Sequence, residues 1–183
     1  MNVAVCTYGA GNVRSVVAAF SRLGASAFVT ANPTDVVGAD LAVLPGVGSA
    51  ASAMAGLGER GLDDALRERV AEGRATLGIC LGLQLALDET EEDGGVEGLG
   101  IIPGRAVRIR EGRVPRIGWA TIEPSGDAFY FAHSYAAETT AATARSEGVV
   151  AVAEQGAFVG VQFHPEKSGS AGARFLERCL SRV

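Results

Sequence analysis

Along the first half of the chain, short apolar runs alternate with stretches whose apolar residues recur at helical spacing, the pattern of parallel strands joined by crossover helices. Residues 3–6 read as the first strand. Residues 12–23 carry Val13, Val16, Val17 and Phe20 on one helical face, with Asn12 placed to cap the start and Gly24 to end it. Residues 27–30, 41–44 and 75–79 read as further strands, and 58–72 as a single surface helix of mixed charge. The second half changes period: 106–110, 118–122, 128–132, 149–153 and 158–163 alternate every second residue and predict antiparallel hairpins added to the sheet. The acidic, Gly-rich segment 88–99 reads as an exposed loop, and 171–180 as a closing amphipathic helix. The expectation is one α/β domain over 1–183, with a mostly parallel central sheet flanked by helices and antiparallel strands added in its second half.

Composition narrows the function. The 183 residues are 48% hydrophobic and 20% charged, ordinary for a globular chain, and the net charge of -5 argues against a broad phosphate-binding surface. The N-terminal residues lack the basic and apolar regions of a signal peptide, and no apolar run approaches membrane-spanning length, so a cytoplasmic location is expected. Cys6, Cys80 and Cys179 are scattered and form no CxxC pair, which suggests neither a disulfide framework nor a zinc site.

Cys80 stands apart by its setting. Gly78-Ile79-Cys80-Leu81-Gly82-Leu83-Gln84 follows an apolar strand and opens a helix, the context of a nucleophile elbow. A residue at such an apex has a strained backbone, and Gly78 and Gly82, two positions to either side, allow strand and helix to approach closely. A helix start also favours a thiolate. The plainer alternative is a small buried apolar residue, which fits Cys6 and Cys179 better.

A cysteine enzyme of this kind needs a base, and the chain has two histidines, His133 and His164. His164 ends the run Gly160-Val161-Gln162-Phe163, and Pro165 holds it extended, so His164 and Glu166 are expected on the same side. Glu166 would then orient the ring and stabilise its charged form. A bare His-Pro-Glu at a strand end could equally be a surface pair; beside a cysteine elbow it reads as the rest of a triad. His133 reads as a structural hydrogen-bonding residue, with a role as a spare base left open.

Pro45-Gly46-Val47-Gly48-Ser49 satisfies part of a dinucleotide-binding pattern through Gly46, Gly48 and Ala51, but it follows the third predicted strand rather than the first. Tyr8-Gly9-Ala10-Gly11 follows the first, with Arg14 where the third glycine would fall. The other use of a bare glycine turn is to aim backbone N–H groups at an oxyanion, with Val47 N–H as one donor and Leu81 N–H, after the nucleophile, as the second.

At this point the chain resembles the class I, triad-type glutamine amidotransferases, which share the Gly-x-Cys-x-Gly-x-Gln elbow and His-Pro-Glu. The segments YGAGN (8–12), PGVGS (45–49), VPRIGW (114–119), YFAHSY (130–135) and GVQFHPEKS (160–168) make it most similar to the histidine-biosynthetic branch of that family. Arg116 and Ala120 depart from the histidine and asparagine expected there. The resemblance implies hydrolysis of glutamine through a Cys80 thioester, with no metal or organic cofactor, and delivery of the ammonia to a (β/α)8 barrel synthase in a heterodimer. It further implies that Gly48, Gln84 and the backbone at Ser134 and Tyr135 hold the amino-acid end of glutamine, and that Glu92 receives its ammonium. Asn12, Trp119, Tyr130 and Lys167 would face the partner. Their plainer alternatives are a helix cap, a core indole, a core ring and a solvated lysine. The alternatives for the whole are a glutaminase of another class I pathway, or a non-catalytic scaffold of the same fold.

Overall fold

The computed structural model describes residues 1–9, 13–46 and 48–183. Its centre is a seven-stranded sheet in the order β11-β12-β13-β4-β3-β1-β2. Strands β1 (Asn2–Cys6), β2 (Ser26–Thr30), β3 (Leu41–Leu44), β4 (Thr76–Ile79) and β13 (Phe158–Val161) run parallel, and β12 (Val149–Gln155) and β11 (Ala142–Ser146) continue antiparallel at one edge. Every residue of β3, β4 and β13 is buried, as expected for strands covered on both faces. Among the described residues no helix is long and apolar enough to cross a membrane.

Helix α1 (Val13–Arg22) turns Val16, Ala19 and Phe20 into the core, and α6 (Gly169–Leu180) does the same with Phe175, Leu176 and Cys179. The expected helix over 58–72 begins later, as α4 (Leu62–Ala71), after Gly61 takes φ 65, a left-handed turn that glycine accepts without penalty, and a helix not expected, α3 (Ala50–Gly58), precedes that turn. Helix α2 (Pro33–Gly38) was not legible in the apolar pattern. It is short, and its local signals are Pro33 in its first turn and the Asn32 side chain accepting from Thr34 N–H. Arg69 of α4 lies wholly buried beneath it and donates to the carbonyls of Val36, Val37, Ala39, Asp40 and Ala75, tying α2 to the starts of β3 and β4.

The hairpins of the second half do not all join the central sheet. β7 (Arg105–Arg108) and β10 (Tyr135–Glu138) lie in a separate four-stranded sheet with β5 (Glu89–Thr90) and β6 (Val96–Glu97). β8 (Arg116–Thr121) and β9 (Ala128–His133) pair with each other, with Arg116 opposite His133. Period-two alternation identifies a strand with one buried face but does not choose its neighbour. Segment 88–99 is no free loop either. Besides β5 and β6 it holds a 3-10 turn at Glu92–Gly94, whose Glu92 and Asp93 carboxylates accept from Ala50 and Ala51 N–H at 3.0 Å each, satisfying the first amides of α3.

Candidate active site

Cys80 joins β4 to the short helix α5 (Leu81–Leu85) with φ 54 and ψ -108, a conformation that costs a non-glycine residue about 1–3 kcal/mol and is tolerated only where surroundings enforce it. Here they do. Cys80 N–H donates to Val161 C=O at 2.7 Å. A Cβ at Gly78 would strike Phe158 and the Gly82 backbone, and one at Gly82 would strike Leu44 C=O. The elbow is thus wedged between β3 and β13, and with only five residues α5 contributes little macrodipole. Gly46 touches the same elbow, since a Cβ there would overlap Leu81 and the Gly82 amide. Gly46 therefore lies against the cysteine loop. Val47 itself, like Asn12, lies outside the described residues.

His164 follows β13 in an extended conformation (φ -103, ψ 95), and Glu166, two residues on, lies inside a 3-10 turn (Pro165–Lys167), so the pair meets around a turn rather than along the extended run expected. Nδ1–H of His164 donates to Glu166 Oε1 at 2.9 Å, both side chains being buried. The other ring nitrogen is left for the Cys80 sulfur, whose interaction with the imidazole favours the charged ring. Three further bonds fix the ring's backbone: His164 N–H to Tyr130 C=O at 2.8 Å, Ser168 Oγ to His164 C=O at 2.6 Å, and Tyr130 N–H to Ser168 Oγ at 3.0 Å. Behind them Phe129 stacks on Phe163 at 4.0 Å and Phe175 closes edge-on, so the β8–β9 ribbon clamps the histidine to the core.

Burial opposes a charge on His164, but the bonds to Cys80 and Glu166 and the negative charge of both outweigh it and raise the imidazole to about 9. At neutral pH the ring is held protonated beside the sulfur, as an acid for a leaving amine. His133 is driven the other way. Burial dominates, helped by the Arg116 and His164 charges against the bond to Tyr135, and lowers it to about 4. It stays neutral, its Nδ1–H donating to Tyr135 C=O at 2.8 Å, which makes it structural rather than a spare base.

The sulfur opens onto a cleft of about 320 Å³, large enough for a small amino acid. Gly48, Leu81, Gln84, Glu92, Ser134 and Tyr135 all line it. Gln84 is already engaged, however: its Nε2 donates to Tyr135 C=O at 2.9 Å and to Gln162 Oε1 at 3.1 Å, which leaves Oε1 for a ligand. Glu92 spends Oε2 on Ala50, and burial, only partly offset by that bond, raises its carboxyl above the ordinary range. Gln162, not singled out by the motifs, is fully buried beside the thiol. Its sequence signal is its position two residues before His164 in an extended run, which puts both on one side. Among the described residues no group of three or more His, Cys, Asp or Glu could hold a metal ion.

Trp119 is not a core indole. It is 59% exposed, with Ile117 at 64%, on the outer face of the β8–β9 ribbon. Tyr130 meets Trp119 edge-on at 6.2 Å, and Lys167 Nζ stands 5.9 Å from the Tyr130 ring centre. Ile117 and Lys167 also line the cleft, so this apolar face continues to its mouth. Arg116, the departure from the family pattern, turns inward: it lies over Phe131 at 4.3 Å and bonds Ser146 Oγ at 2.7 Å and Glu147 at 3.0 Å.

A strained cysteine, a charged histidine and a buried carboxylate in series at the ends of neighbouring parallel strands make up the site of a thiol-dependent amide hydrolase. The family described as glutamine amidotransferase class-I matches residues 4–183, and the chain belongs to that family of enzymes. More particularly, it is similar to proteins named imidazole glycerol phosphate synthase subunit HisH. The one from Methanothermobacter thermautotrophicus is 44% identical, covering 99% of this chain and 98% of that protein. The one from Chlorobaculum tepidum is 40% identical over 96% and 97%. Among solved structures, one described as a glutamine amidotransferase superposes with a TM-score of 0.81 at 24% identity, over 98% of this chain and 97% of that one. PurLQS from Thermotoga maritima does so at 0.74 and 16%, over 98% and 97%. At these identities the two structures speak for the fold alone.

Proposed function

We propose that this chain is the glutaminase subunit of an imidazole glycerol phosphate synthase, a cytoplasmic enzyme that hydrolyses glutamine to glutamate and passes the ammonia to a (β/α)8 barrel synthase. The likeness to the HisH subunits over nearly the whole chain supports the pathway. The observation that carries the chemistry is Cys80 and His164 lining the cleft, with Glu166 bonded to the imidazole behind them.

Cys80 Sγ attacks the side-chain carbonyl carbon of glutamine, and the carbonyl electrons move to oxygen, facing the amides of Leu81 and Val47. His164 gives its proton to the amide nitrogen, the C–N bond breaks, and ammonia leaves a Cys80 thioester. Water then loses a proton to His164 as its oxygen attacks the thioester, the C–S bond breaks, and glutamate is released. Glu166 keeps the ring oriented and charged. Gly48, the free Gln84 oxygen and the Ser134–Tyr135 wall hold the amino-acid end, with Glu92 towards its ammonium. The outer ribbon face of Ile117, Trp119 and Tyr130, with Lys167 at its rim, docks the barrel, so that ammonia leaves the cleft at the interface.

The test is Cys80→Ala in the complex with a barrel synthase. Glutamine-dependent turnover should vanish while turnover with added ammonium persists. Equal loss of both activities would sink this division of labour.

A further inference from the structure

The polar groups around the sulfur have a direction that the backbone sets. The carbonyl of Tyr135 can only accept, and it accepts from Nδ1–H of His133 at 2.8 Å and from Nε2 of Gln84 at 2.9 Å. The Gln84 atom facing Tyr135 is therefore its amide nitrogen, whose second hydrogen goes to Gln162 at 3.1 Å. That makes the Gln162 atom facing Gln84 its carbonyl oxygen, and turns its NH2 towards Cys80 Sγ at 3.6 Å. Gln162 is fully buried and Gln84 nearly so, which prevents solvent from supplying another arrangement. On another side of the sulfur, Ala132 C=O stands 3.9 Å away and can only accept a proton from the thiol. Cys80 thus meets one neighbour that favours S–H and one, closer, that favours the anion.

We infer that Gln162 is a thiolate-stabilising residue, held in its donating orientation by a relay from the substrate wall through Tyr135 C=O and Gln84. This rests on the reading of Cys80 as the nucleophile. A hydrogen bond to an anion is stronger than one to a neutral acceptor, so the Gln162 amide helps hold the sulfur as the anion beside the charged His164. Because Tyr135 and Gln84 also line the cleft, the wall that contacts the amino-acid end is wired to the nucleophile.

The test is the pH dependence of Cys80 alkylation by iodoacetamide, a neutral reagent, read by peptide mass spectrometry on the intact chain. Burial pushes the Cys6 and Cys179 thiols up to about 12, so they serve as unlabelled internal controls. Gln162→Met keeps shape and removes the donor. The midpoint should move up by about one pH unit, that is about tenfold slower labelling below the midpoint, with the alkaline plateau unchanged. A general loosening of the site would raise the plateau or label the controls and would not move the midpoint this way. Gln84→Met, which frees Gln162 to turn, should shift the midpoint in the same direction by less, and it decides the matter if Gln162→Met does not fold. Unmoved midpoints in the folded variants overturn the inference. Labelling needs no turnover, so that result is distinct from Cys80→Ala retaining glutaminase activity, which would overturn the nucleophile itself.

Discussion

Replacing Glu166 by Gln changes one charge and almost no volume, and its consequence is a moved pH limb. His164 stands at about 9 where an ordinary imidazole titrates near 6.5, a preference for the charged ring of about 3 kcal/mol net of burial. Two partners supply it, Cys80 and Glu166, each through a hydrogen bond and a charge. Glu166 Oε1 is 2.9 Å from Nδ1 and its side chain is only 3% exposed, so water screens the pair weakly. Taking about half the preference as its share, Glu166→Gln should lower the alkaline limb of kcat/KM for glutamine from near 9 by one to two pH units. The amide can still accept from Nδ1–H, so ring orientation is kept and activity below pH 7 should suffer less than activity at pH 8. Glutamate release by the synthase complex between pH 6 and 10 is the assay. The same linkage has a sign in stability. A raised imidazole lends stability that is full below about 6.5 and fades as pH rises through about 9, so the unfolding free energies of native and variant chains should converge at high pH. An alkaline limb that stays near 9 in the variant would refute the role of Glu166 as the group holding the imidazolium.

His133, lowered to about 4, contributes in the opposite direction: its stability is present above about 6.5 and is lost as pH falls towards 4. Urea unfolding should show the chain losing about 2 kcal/mol more between pH 7 and pH 5 than His133→Asn, which does not titrate; identical slopes would contradict a buried neutral imidazole. Trp119→Ala should leave the thermal midpoint of the isolated chain nearly unchanged, since the indole is largely exposed, yet weaken binding to the barrel partner about tenfold or more by titration calorimetry, as for an aromatic anchor. An unchanged affinity would move the interface elsewhere.

The residues that local geometry controls were legible in the sequence. Glycines two positions from Cys80 mark the tight elbow, and His164 and Glu166 do meet as expected, though a 3-10 turn rather than an extended run brings them together. What local pattern could not carry was pairing and docking. β8 and β9 each alternate as half-buried strands do, but their partners depend on where the chain turns back. Helix α3 was missed because AASAMAGLG is rich in small residues and lacks a strong apolar stripe. With its start unseen, nothing explained why Glu92 and Asp93 turn to meet the amides of Ala50 and Ala51.

The assembly of the site nevertheless has a trace in the sequence at the glycines. The three segments with chemistry, 45–49, 80–84 and 162–166, leave the C-terminal ends of β3, β4 and β13, which are neighbours in the sheet, the edge where open α/β sheets bind ligands. Strand order is not written in hydrophobic period, but close approach is written in missing side chains. Gly46 is needed where the turn after β3 meets Leu81, Gly82 where α5 meets Leu44, and Gly160 where β13 meets Leu83. A Cβ at Gly46 or Gly82 would strike backbone of the neighbouring element and push those elements apart, whereas at Gly160 the Leu83 side chain would have to give way. The spacing that lets these elements touch is therefore also the spacing that places Cys80 against its neighbours, and Gly46→Ala and Gly82→Ala should each lower the thermal midpoint and glutamine turnover together, whereas a variant that loses neither would contradict the close approach.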